Sequence, residues 1–372
     1  MKLLIISGTR SIAEKKSGAF FDNLKEHSKY WDRIDIIVPK TKQKIFELYG
    51  NVFIHSSNKP LVLHPLFIKE KGEELFYKEK FNVVTVHEYP PFYNGLGAYL
   101  LYKKIKVPYV LEVHHIVGIP RAANLKEKLY CFLFRKLAKL DSKNSIAVRV
   151  TNRSTCEILS GWGVQPEKIK IIPSFYIDTK LFKPRAGEKK YDIVTAGRLD
   201  SNKGFDLLIK AVKILKKRMP AIKVVIIGDG PLKDGLMGLS RKLGLENNIV
   251  FAGWQQDISQ VSELYNQSRV FVLTSFNEGG PRTALEAMSC NLPIVSTRVG
   301  LIPELIIDGD NGFFIDWSPE DIADKIGRVL FDTTLEKRFS SGNREKVAKF
   351  DKGPTAENYA RELLNIARQS RG

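Results

Sequence analysis

Residues 275–297 read SFNEGGPRTALEAMSCNLPIVST, and this stretch decides the fold of the second half of the chain. It is preceded by an apolar, β-branched run, RVFVLTS at 269–275, and it ends in another, LPIVST at 292–297. Between the two runs, Gly279 is followed by GPRTALEAMSC at 280–290, which has the composition of a helix. A strand, a glycine-containing loop, a helix and a strand in this order are typical of a parallel sheet covered by helices.

The same alternation continues in both directions along the chain. Further strand candidates in the second half are YDIVTAG (191–197), KVVIIGDG (223–230), NIVFAG (248–253) and GFFID (312–316). Those of the first half are LLIIS (3–7), RIDIIVP (33–39), VVTVH (83–87), YVLEVH (109–114) and SIAVRVT (145–151). Helical segments separate these runs, so the sequence predicts an α/β protein with two doubly wound domains in tandem.

The length of 372 residues also suits two domains. KLFKPRAGEKK at 180–190 is basic and poor in apolar residues, so we expect a first domain over 1–182 and a second over 188–350. The chemistry is expected in the cleft that the two domains face across. A periodic segment over 355–370 predicts a last helix, which could pack back on the first domain.

Composition narrows the class of protein. Hydrophobic residues make up 43% of the chain and charged residues 27%, as in a folded enzyme. No run approaches the ~20 apolar residues of a membrane-spanning helix, and MKLLIISGTR reads as a first strand without a cleavage site. Cys131, Cys156 and Cys290 match neither a disulfide framework nor a metal motif. We therefore expect a cytoplasmic protein with reduced thiols.

The net charge of +18 is concentrated in the first half. Residues 1–186 hold 32 Lys and Arg against 17 Asp and Glu, a net +15, whereas residues 187–372 hold 27 against 24, a net +3. An excess of this kind indicates an anionic partner, which could be an acidic substrate, a membrane surface or a nucleic acid.

Three loops of the second half each follow a strand candidate, so they meet at the carboxyl edge of one sheet. They are AGRLDSNKG (196–204), IIGDGP (226–231) and the loop that holds Gly279 and Gly280. The backbone N–H groups of these two glycines precede a helix and can face a phosphate. Arg198 and Lys203 add two cations from the first loop, so a diphosphate could be neutralised here without a metal.

Two carboxylates, Glu278 and Glu286, lie eight residues apart, one before the helix and one about two turns inside it. Carboxylates accept hydrogen bonds from paired hydroxyls, so this pair could hold both sugars of a nucleotide sugar. Taken singly, each motif could equally be a helix start, a turn or a surface ion pair. Taken together, they favour a nucleotide-sugar site.

Residues 190–315 resemble the donor-binding domain of retaining glycosyltransferases of the GT-B fold, in particular glycosyltransferase family 4. GRLDSNKG at 197–204 resembles the family's GRL-x-x-x-KG loop, and EGGPRTALE at 278–286 resembles its E-x7-E signature. The resemblance implies two Rossmann-like domains facing across a cleft and transfer of a hexosyl group with retention.

The resemblance also implies roles for the matching residues. Arg198 and Lys203 would bind the donor diphosphate, Glu286 the ribose hydroxyls, and Glu278 the hydroxyls of the donor sugar, aided by Gly279 and Gly280. The loop that begins at Gly253 would lie against the nucleotide base. Arg282 lies outside the shared signature, and a phosphate role for it rests only on its charge.

The first half resembles the family's acceptor domain more loosely. KKSGAFFDNL at 15–24 is similar to its glycine-containing loop, with Gly18 close to donor or acceptor. VPYVLEVHH resembles a strand that ends in a cleft histidine, where His114 matches best, His115 is the second choice and His87 is a weaker candidate on the acceptor side. Each histidine could instead be a hydrogen-bonded loop residue. We expect no metal and no cofactor, because no carboxylate or cysteine shows ligand spacing with these histidines.

The chain departs from the family at PSFYIDTKLF, residues 173–182. Here the chain has neither the Asn nor the Gly of the family's P-N-G-V-D pattern, although Asp178 and Phe182 fit the pattern. A contact with the donor or the hinge between domains is expected to differ at this point.

RAANLKEKLYCFLFRKLAKLDSK at 121–143 predicts an amphipathic helix with six apolar residues, Leu125, Leu129, Phe132, Leu133, Leu137 and Leu140, and six basic ones, Lys126, Lys128, Arg135, Lys136, Lys139 and Lys143. Such a helix can lie at an anionic membrane surface, or it can pack on the core with its basic face in solvent. The charge of the first half favours the membrane, so we expect peripheral association with the inner face of the plasma membrane.

The expected function is transfer of a hexosyl group from a nucleoside-diphosphate sugar to an acceptor hydroxyl, in the synthesis of a polysaccharide, glycolipid or glycoconjugate. The acceptor is then a sugar or a lipid-linked molecule. A nucleotide-sugar epimerase of the same fold is the enzymatic alternative. A basic nucleic-acid-binding protein is the other, although the sequence carries no ribonucleoprotein, zinc-finger or helix-turn-helix motif, and we expect no nucleic-acid partner.

Overall fold

The computed structural model describes residues 1–9, 12, 19–42, 46–173 and 177–369. The chain divides into two compact units. The first unit comprises Met1–Val117, Leu129–Tyr176 and Lys352–Gly372, and the second comprises Gly118–Lys128 and Ile177–Asp351. The sequence did not anticipate that residues 118–128 pack with the second unit.

One sheet runs through the first unit. Its strands are β1 (Lys2–Ile6), β2 (Arg33–Val38), β3 (Glu47–Leu48), β4 (Val52–Ser56), β5 (Val83–His87), β6 (Tyr109–Val113), β7 (Ala147–Val150) and β8 (Ile169–Ile171). Their spatial order is β3-β4-β2-β1-β5-β6-β7-β8, and all neighbours are parallel except β3 and β4. The apolar runs of the sequence became the central strands, because a parallel strand is buried on both faces.

A second parallel sheet forms the centre of the second unit. Its strands are β9 (Tyr191–Ala196), β10 (Val224–Ile227), β11 (Ile249–Gly253), β12 (Ser268–Leu273), β13 (Ile294–Ser296) and β14 (Gly312–Phe314). The spatial order is β11-β10-β9-β12-β13-β14. The strand order therefore reverses between β9 and β12, which is the switch point where open α/β sheets bind ligands.

Helices cover both sheets. Those between the strands of the first sheet are α1 (Ala19–Ser28), α2 (His64–Glu79), α3 (Tyr93–Ile105), α4 (Leu125–Lys143) and α5 (Arg153–Gly161). Those of the second unit are α6 (Phe205–Lys216), α7 (Lys233–Lys242), α8 (Ile258–Asn266), α9 (Arg282–Ser289), α10 (Ile302–Leu305), α11 (Pro319–Phe331), α12 (Thr333–Ser340) and α13 (Asn343–Val347). The chain ends in α14 (Lys352–Gln369).

Right-handed crossovers assign the helices of the first unit to faces of its sheet. From β1 through β2 to β4, each strand is added on the side of the sheet where β3 forms the edge, and the connecting helix α1 lies on one face. From β4 through β5 to β8, the strands are added in the opposite direction, so the connecting helices α2 to α5 lie on the other face. Phe134 of α4 accordingly stacks on Phe92, 5.3 Å between ring centroids, and lies 6.1 Å from Trp162 after α5. The carboxy-terminal helix α14 packs on the α1 face, where Tyr359 and Leu363 join the core of the first sheet.

The basic helix α4 does not bury the apolar residues that the periodicity grouped together. Phe134, Ala138 and Ser142 are its buried residues, while Leu125 is 80% exposed and Phe132 58%. Leu129, Leu133 and Leu140 are exposed as well. These apolar residues are therefore not the face that packs on the core, although α4 does pack there through Phe134 and Ala138, with its basic residues exposed. Among the described residues, no helix has both the length and the hydropathy needed to cross a bilayer.

Candidate functional site

The loops after β9 and β12 flank the switch point of the second sheet and are bonded to each other. Thr274 Oγ1 donates to the backbone oxygens of Lys203 and Gly204, at 2.9 and 3.0 Å, and the Phe276 N–H donates to the Asn202 oxygen at 2.8 Å. Gly204 has a φ of +63°, and a Cβ there would collide with the Thr274 carbonyl. Glycine at 204 thus permits the turn and the close approach of the two loops.

Lys203 and Glu278, both assigned from the sequence, form an ion pair across these loops. Their side chains are 22% and 13% exposed. The Ser275 hydroxyl donates to the same Glu278 oxygen at 2.8 Å. The pair therefore holds one ammonium and one carboxylate in fixed positions beside the start of α9.

Arg198 is placed differently from Lys203. Its side chain is 72% exposed, and its Nε lies 3.6 Å from Asp200 Oδ2. An exposed pair at this distance contributes little to stability, so the guanidinium can change partner at small cost. Of the two predicted cations, Lys203 is fixed by the fold and Arg198 is adjustable.

Gly279 and Gly280 lead directly into α9, as the sequence indicated. Pro281 is the N-cap residue and has no side-chain acceptor for the N–H groups of the first turn. Gly300, with a φ of +52°, lies against this loop, since a Cβ on it would be 2.9 Å from the backbone oxygen of Glu278 and would collide with the Gly279 carbonyl. The loop therefore passes close to the backbone that follows β13.

Glu286 is buried inside α9. Its Oε1 accepts from Arg282 Nε at 2.9 Å, and its Oε2 accepts from the Tyr265 hydroxyl at 3.4 Å. Burial, reinforced by the Glu286 charge, raises the pKa of Tyr265 well above its ordinary value, so the phenol remains a donor. Arg282, for which only a phosphate role was considered, is a partner of Glu286, and Tyr265 was not found from the sequence.

Two further sequence assignments belong to the second unit. Gly253 ends β11 with a φ of +71°, its carbonyl accepts from the Gly228 N–H at 2.8 Å, and the exposed Trp254 follows it.

Asp178 and Phe182 flank a turn in which the Phe182 N–H donates to the backbone oxygen of Asp178 at 2.8 Å. Phe182 is fully buried, and its own carbonyl accepts from the Ser289 hydroxyl at the end of α9.

Residues 118–128 pack beside Glu278, which the sequence did not reveal. Asn277 Nδ2 donates to the Arg121 oxygen and to Glu127 Oε2, both at 2.9 Å. The Arg121 guanidinium lies 5.3 Å from the Trp317 ring centroid and 5.5 Å from that of Phe276. A segment from the first half of the sequence therefore fixes the residue that precedes Glu278.

In the first unit, three polar residues stand side by side near the carboxyl ends of adjacent strands. The register pairs His87 of β5 with Glu112 of β6, and Glu112 with Arg149 of β7. Arg149 Nη1 donates to Glu112 Oε2 at 2.5 Å, and both side chains are buried. The sequence pointed to His87 but not to Glu112 or Arg149.

The three candidate histidines differ in burial. His114 follows β6, its side chain is 40% exposed, and its Nε2 lies 2.7 Å from Glu112 Oε2. His87 is buried, and burial lowers its pKa to about 3, so it is neutral at pH 7. His115 points elsewhere, into a cavity of about 10 Å³ that Tyr130 and Phe134 also line. His87 and His114 thus belong to one cluster, with ring centroids 5.0 Å apart, and His115 does not.

Sequence reasoning did not identify Glu112, whose carboxylate lies between His87 and His114. Ligand atoms of His87, Glu112 and His114 lie within 4.8 Å of one another, a spacing that could hold a cation. However, Arg149 Nη1 lies 2.5 Å from the Glu112 oxygen and 3.1 Å from His114 Nε2. A permanently charged guanidinium in that position would repel a metal ion, so the donor set does not fit a metal.

Gly18, the remaining acceptor-side assignment, lies outside the described residues, as do residues 174–176 of the departing PSFYIDTKLF stretch.

The chain is similar in sequence to known glycosyltransferases. Residues 177–346 match the family model described as Glycosyl transferases group 1. The chain is 28% identical to an uncharacterized glycosyltransferase of Methanocaldococcus jannaschii, over 89% of this chain and 90% of that protein. It is 27% identical to the sulfoquinovosyl transferase of Arabidopsis thaliana, over 85% of this chain and 64% of that one.

Solved structures show the fold. Sucrose-phosphate synthase from Thermosynechococcus elongatus superimposes with a TM-score of 0.81 at 20% identity, covering 99% of this chain and 98% of that one. HepE of Anabaena, in complex with UDP and glucose, gives 0.76 at 19% identity, covering 98% and 100%. The chain has the GT-B fold, with two parallel-sheet Rossmann-like domains, as the sequence predicted.

Proposed function

We propose that this protein is a retaining glycosyltransferase that moves a hexosyl group from a nucleoside-diphosphate sugar to an acceptor hydroxyl. The observation that carries the proposal is the pair of bonded loops at the switch point, where Lys203 and Glu278 lie beside the start of α9. The group 1 match includes these residues, and the relatives reported above are glycosyltransferases. None of those relatives supports the epimerase that the sequence left open.

In this proposal the chain itself supplies the charge that the departing diphosphate needs. The Lys203 ammonium is already oriented by Glu278, and Arg198 can turn from Asp200 to a phosphate. The N–H groups at Gly279 and Gly280 and the α9 dipole add partial positive charge at the same point. Charges fixed before the reaction stabilise a leaving anion without reorganisation, so no metal is required.

The two carboxylates would hold the sugars of the donor. Glu286, kept in place by Arg282 and Tyr265, would accept hydrogen bonds from the ribose hydroxyls. Glu278 would bind hydroxyls of the transferred sugar while sharing Lys203 with the diphosphate. Gly253 and the residues after it would contact the base. The anomeric carbon is thereby held beside the leaving phosphate.

The first unit would bind the acceptor, a sugar or a lipid-linked molecule in the synthesis of a polysaccharide, glycolipid or glycoconjugate. His114 is the histidine best placed for this role, because it is the most exposed member of the cluster with Glu112. His115 lines a separate small cavity and would contribute less.

The donor is tested by thermal stabilisation of the purified protein with UDP, GDP and ADP and their sugars. A ligand at about 100 times its Kd stabilises the native state by about 2.7 kcal/mol, so the melting temperature should rise by several degrees. UDP and its sugars come first, because HepE was solved with UDP. The matching monophosphate should shift the melting temperature much less, since the proposed site binds a diphosphate.

Transfer is then followed as release of the nucleoside diphosphate, and the anomeric configuration of the product is read by NMR. A product with the donor's configuration supports retention, and an inverted product contradicts it. Equal stabilisation by mono- and diphosphates, with no transfer from any donor, would contradict the proposed function as a whole.

We also propose that the protein associates with anionic membranes through α4. Its exposed apolar side chains, among them Leu125, Leu129 and Phe132, alternate with exposed lysines and Arg135. An apolar stripe in solvent is costly unless it is covered, and the basic residues around it match anionic headgroups. Burial of these apolar side chains and attraction of the basic residues to the headgroups would then both favour binding to the same bilayer.

Reversing two of these charges, Lys136→Glu with Lys139→Glu, is expected to weaken binding to vesicles of phosphatidylglycerol and phosphatidylcholine by more than about 30-fold, since each basic residue near the surface contributes about 1 kcal/mol. Vesicle sedimentation measures the effect. The matched control, Lys242→Glu with Lys337→Glu on exposed positions of the second unit, should bind normally. Equal binding by all three proteins would contradict the assignment.

A further inference from the structure

The buried carboxylate of Glu112 accepts hydrogen bonds from three side chains. Its Oε2 accepts from His114 Nε2 at 2.7 Å and from Arg149 Nη1 at 2.5 Å, and its Oε1 accepts from the Tyr359 hydroxyl at 2.5 Å. Tyr359 belongs to α14, 247 residues later in the chain. The carboxylate is therefore fixed by the residue that follows its own strand β6, by the neighbouring strand β7 and by the carboxy-terminal helix.

Arg149 is fixed in turn. Its Nε donates to the Ile172 oxygen at 3.0 Å and its Nη2 to the Pro173 oxygen at 3.2 Å. The guanidinium also lies 4.3 Å from the centroid of the Tyr359 ring. A buried charge pair with this many hydrogen bonds has one arrangement, because breaking it would leave a charge without a partner.

The charges around Glu112 define its state. Burial opposes its charged form, but Arg149 and the hydrogen bond from His114 outweigh burial and hold the pKa of Glu112 well below its usual range. Burial lowers the pKa of His27, which stacks on Tyr359, to about 4, and that of His87 to about 3. At neutral pH the cluster therefore contains an anionic Glu112, a cationic Arg149 and two neutral histidines.

An ionised carboxylate can only accept hydrogen bonds. The Nε2 of His114 lies 2.7 Å from this carboxylate and 3.1 Å from Arg149 Nη1, which is itself 2.5 Å from the carboxylate. The nearer partner of Nε2 is thus the anion, and this favours a proton on Nε2 over a lone pair that accepts from Arg149. The imidazole is thereby oriented with its Nε2–H toward Glu112. Its other nitrogen, Nδ1, is directed away from the carboxylate on a side chain that is 40% exposed.

We infer that Glu112 is a positioning residue that holds His114 with Nε2–H toward the protein and Nδ1 toward a sugar hydroxyl of the substrate, and that Tyr359 of α14 maintains this arrangement. The inference deepens the proposed function and depends on it. The inference also gives the carboxy-terminal helix α14 a role in sugar transfer. Its Tyr359 hydroxyl bonds to one oxygen of Glu112, and the other oxygen of Glu112 bonds to His114. In an imidazole used in this way, the group that fixes one nitrogen decides what the other can do.

The orientation is tested without substrate, on the full chain labelled with ¹⁵N-histidine. The His114 signal is assigned by its loss in His114→Gln. The nitrogen shifts of the wild type are expected to show protonated Nε2 at neutral pH, and those of Glu112→Gln a mixture, because an amide can donate or accept. Protonated Nδ1 in the wild type, or an unchanged spectrum in Glu112→Gln, would overturn the inference.

Kinetics separate positioning from stability. Tyr359→Phe removes one hydrogen bond to Glu112 and is expected to lower kcat about fivefold, with the donor KM unchanged. Its matched control is Tyr109→Phe, which also removes a buried hydroxyl of the first unit but one that donates to the Asp141 carbonyl at 3.1 Å. The control should retain its kcat. Equal rates for both variants would contradict a role for Tyr359.

The two proposals can fail separately. If no donor is transferred by the wild type, the proposed function fails, and the spectrum still decides how His114 is held. If transfer occurs but His114 shows the other tautomer, the function stands and the role of Glu112 is rejected.

Discussion

Lys203→Ala is expected to lower kcat/KM for transfer by about 100-fold. A hydrogen bond to a charged group contributes about 1.5–3 kcal/mol, and each 1.4 kcal/mol corresponds to about tenfold in an equilibrium constant. Lys203 is the cation that the fold fixes beside α9, and its removal also leaves Glu278 next to the incoming diphosphate without its counter-ion. Steady-state kinetics and calorimetric titration with the nucleoside diphosphate measure the loss.

The control is Lys210→Ala, on α6. Lys210 pairs with Asp206 at 2.8 Å, but it is an exposed pair one turn apart on the same helix. It should leave the rate within about twofold of wild type, because such pairs contribute little. Arg198→Ala should have a smaller effect than Lys203→Ala, since its guanidinium must first turn from Asp200. A Lys203→Ala enzyme with nearly full activity would remove the ammonium from the site.

Much of the fold could be predicted from the sequence because buried parallel strands are continuous apolar runs. β3, β4 and β8 were missed, since they are short or carry polar residues such as His55 and Lys170. The helix α4 shows a different limit. Periodicity groups residues that share a helix face, but it does not say which face meets the sheet, and the smaller stripe of Phe134 and Ala138 is the buried one.

The loops of the proposed donor site could be picked out in the sequence because each lies within a short motif. Glycines, cations and carboxylates follow strands at fixed spacing, and the carboxyl ends of parallel strands meet at one edge. The residues that hold His114 in place could not be predicted from such a motif. Glu112 and Arg149 are 37 residues apart, and strand register alone brings them together. Tyr359 comes from a helix whose domain the sequence left undecided.

Glu286→Gln is expected to lower kcat/KM by about 100-fold while keeping the fold, because glutamine has nearly the same shape. The carboxylate can accept from Arg282, from Tyr265 and from both ribose hydroxyls, whereas an amide has one accepting oxygen. The variant also leaves the partly buried Arg282 facing a neutral group. Unchanged melting temperatures would show that the loss is one of binding and not of folding.

A donor without the ribose 2′-hydroxyl makes this prediction specific. The wild type should use the 2′-deoxy donor about tenfold less well than the ordinary one, because a buried carboxylate then lacks one of its donors. Glu286→Gln should treat the two donors almost alike, since the interaction is already lost. The control Glu263→Gln, at an exposed position of α8, should keep the wild-type preference. If Glu286→Gln discriminated as strongly as the wild type, the ribose would have to be bound elsewhere, and Glu286 would serve only to hold Arg282 and Tyr265 within the second unit.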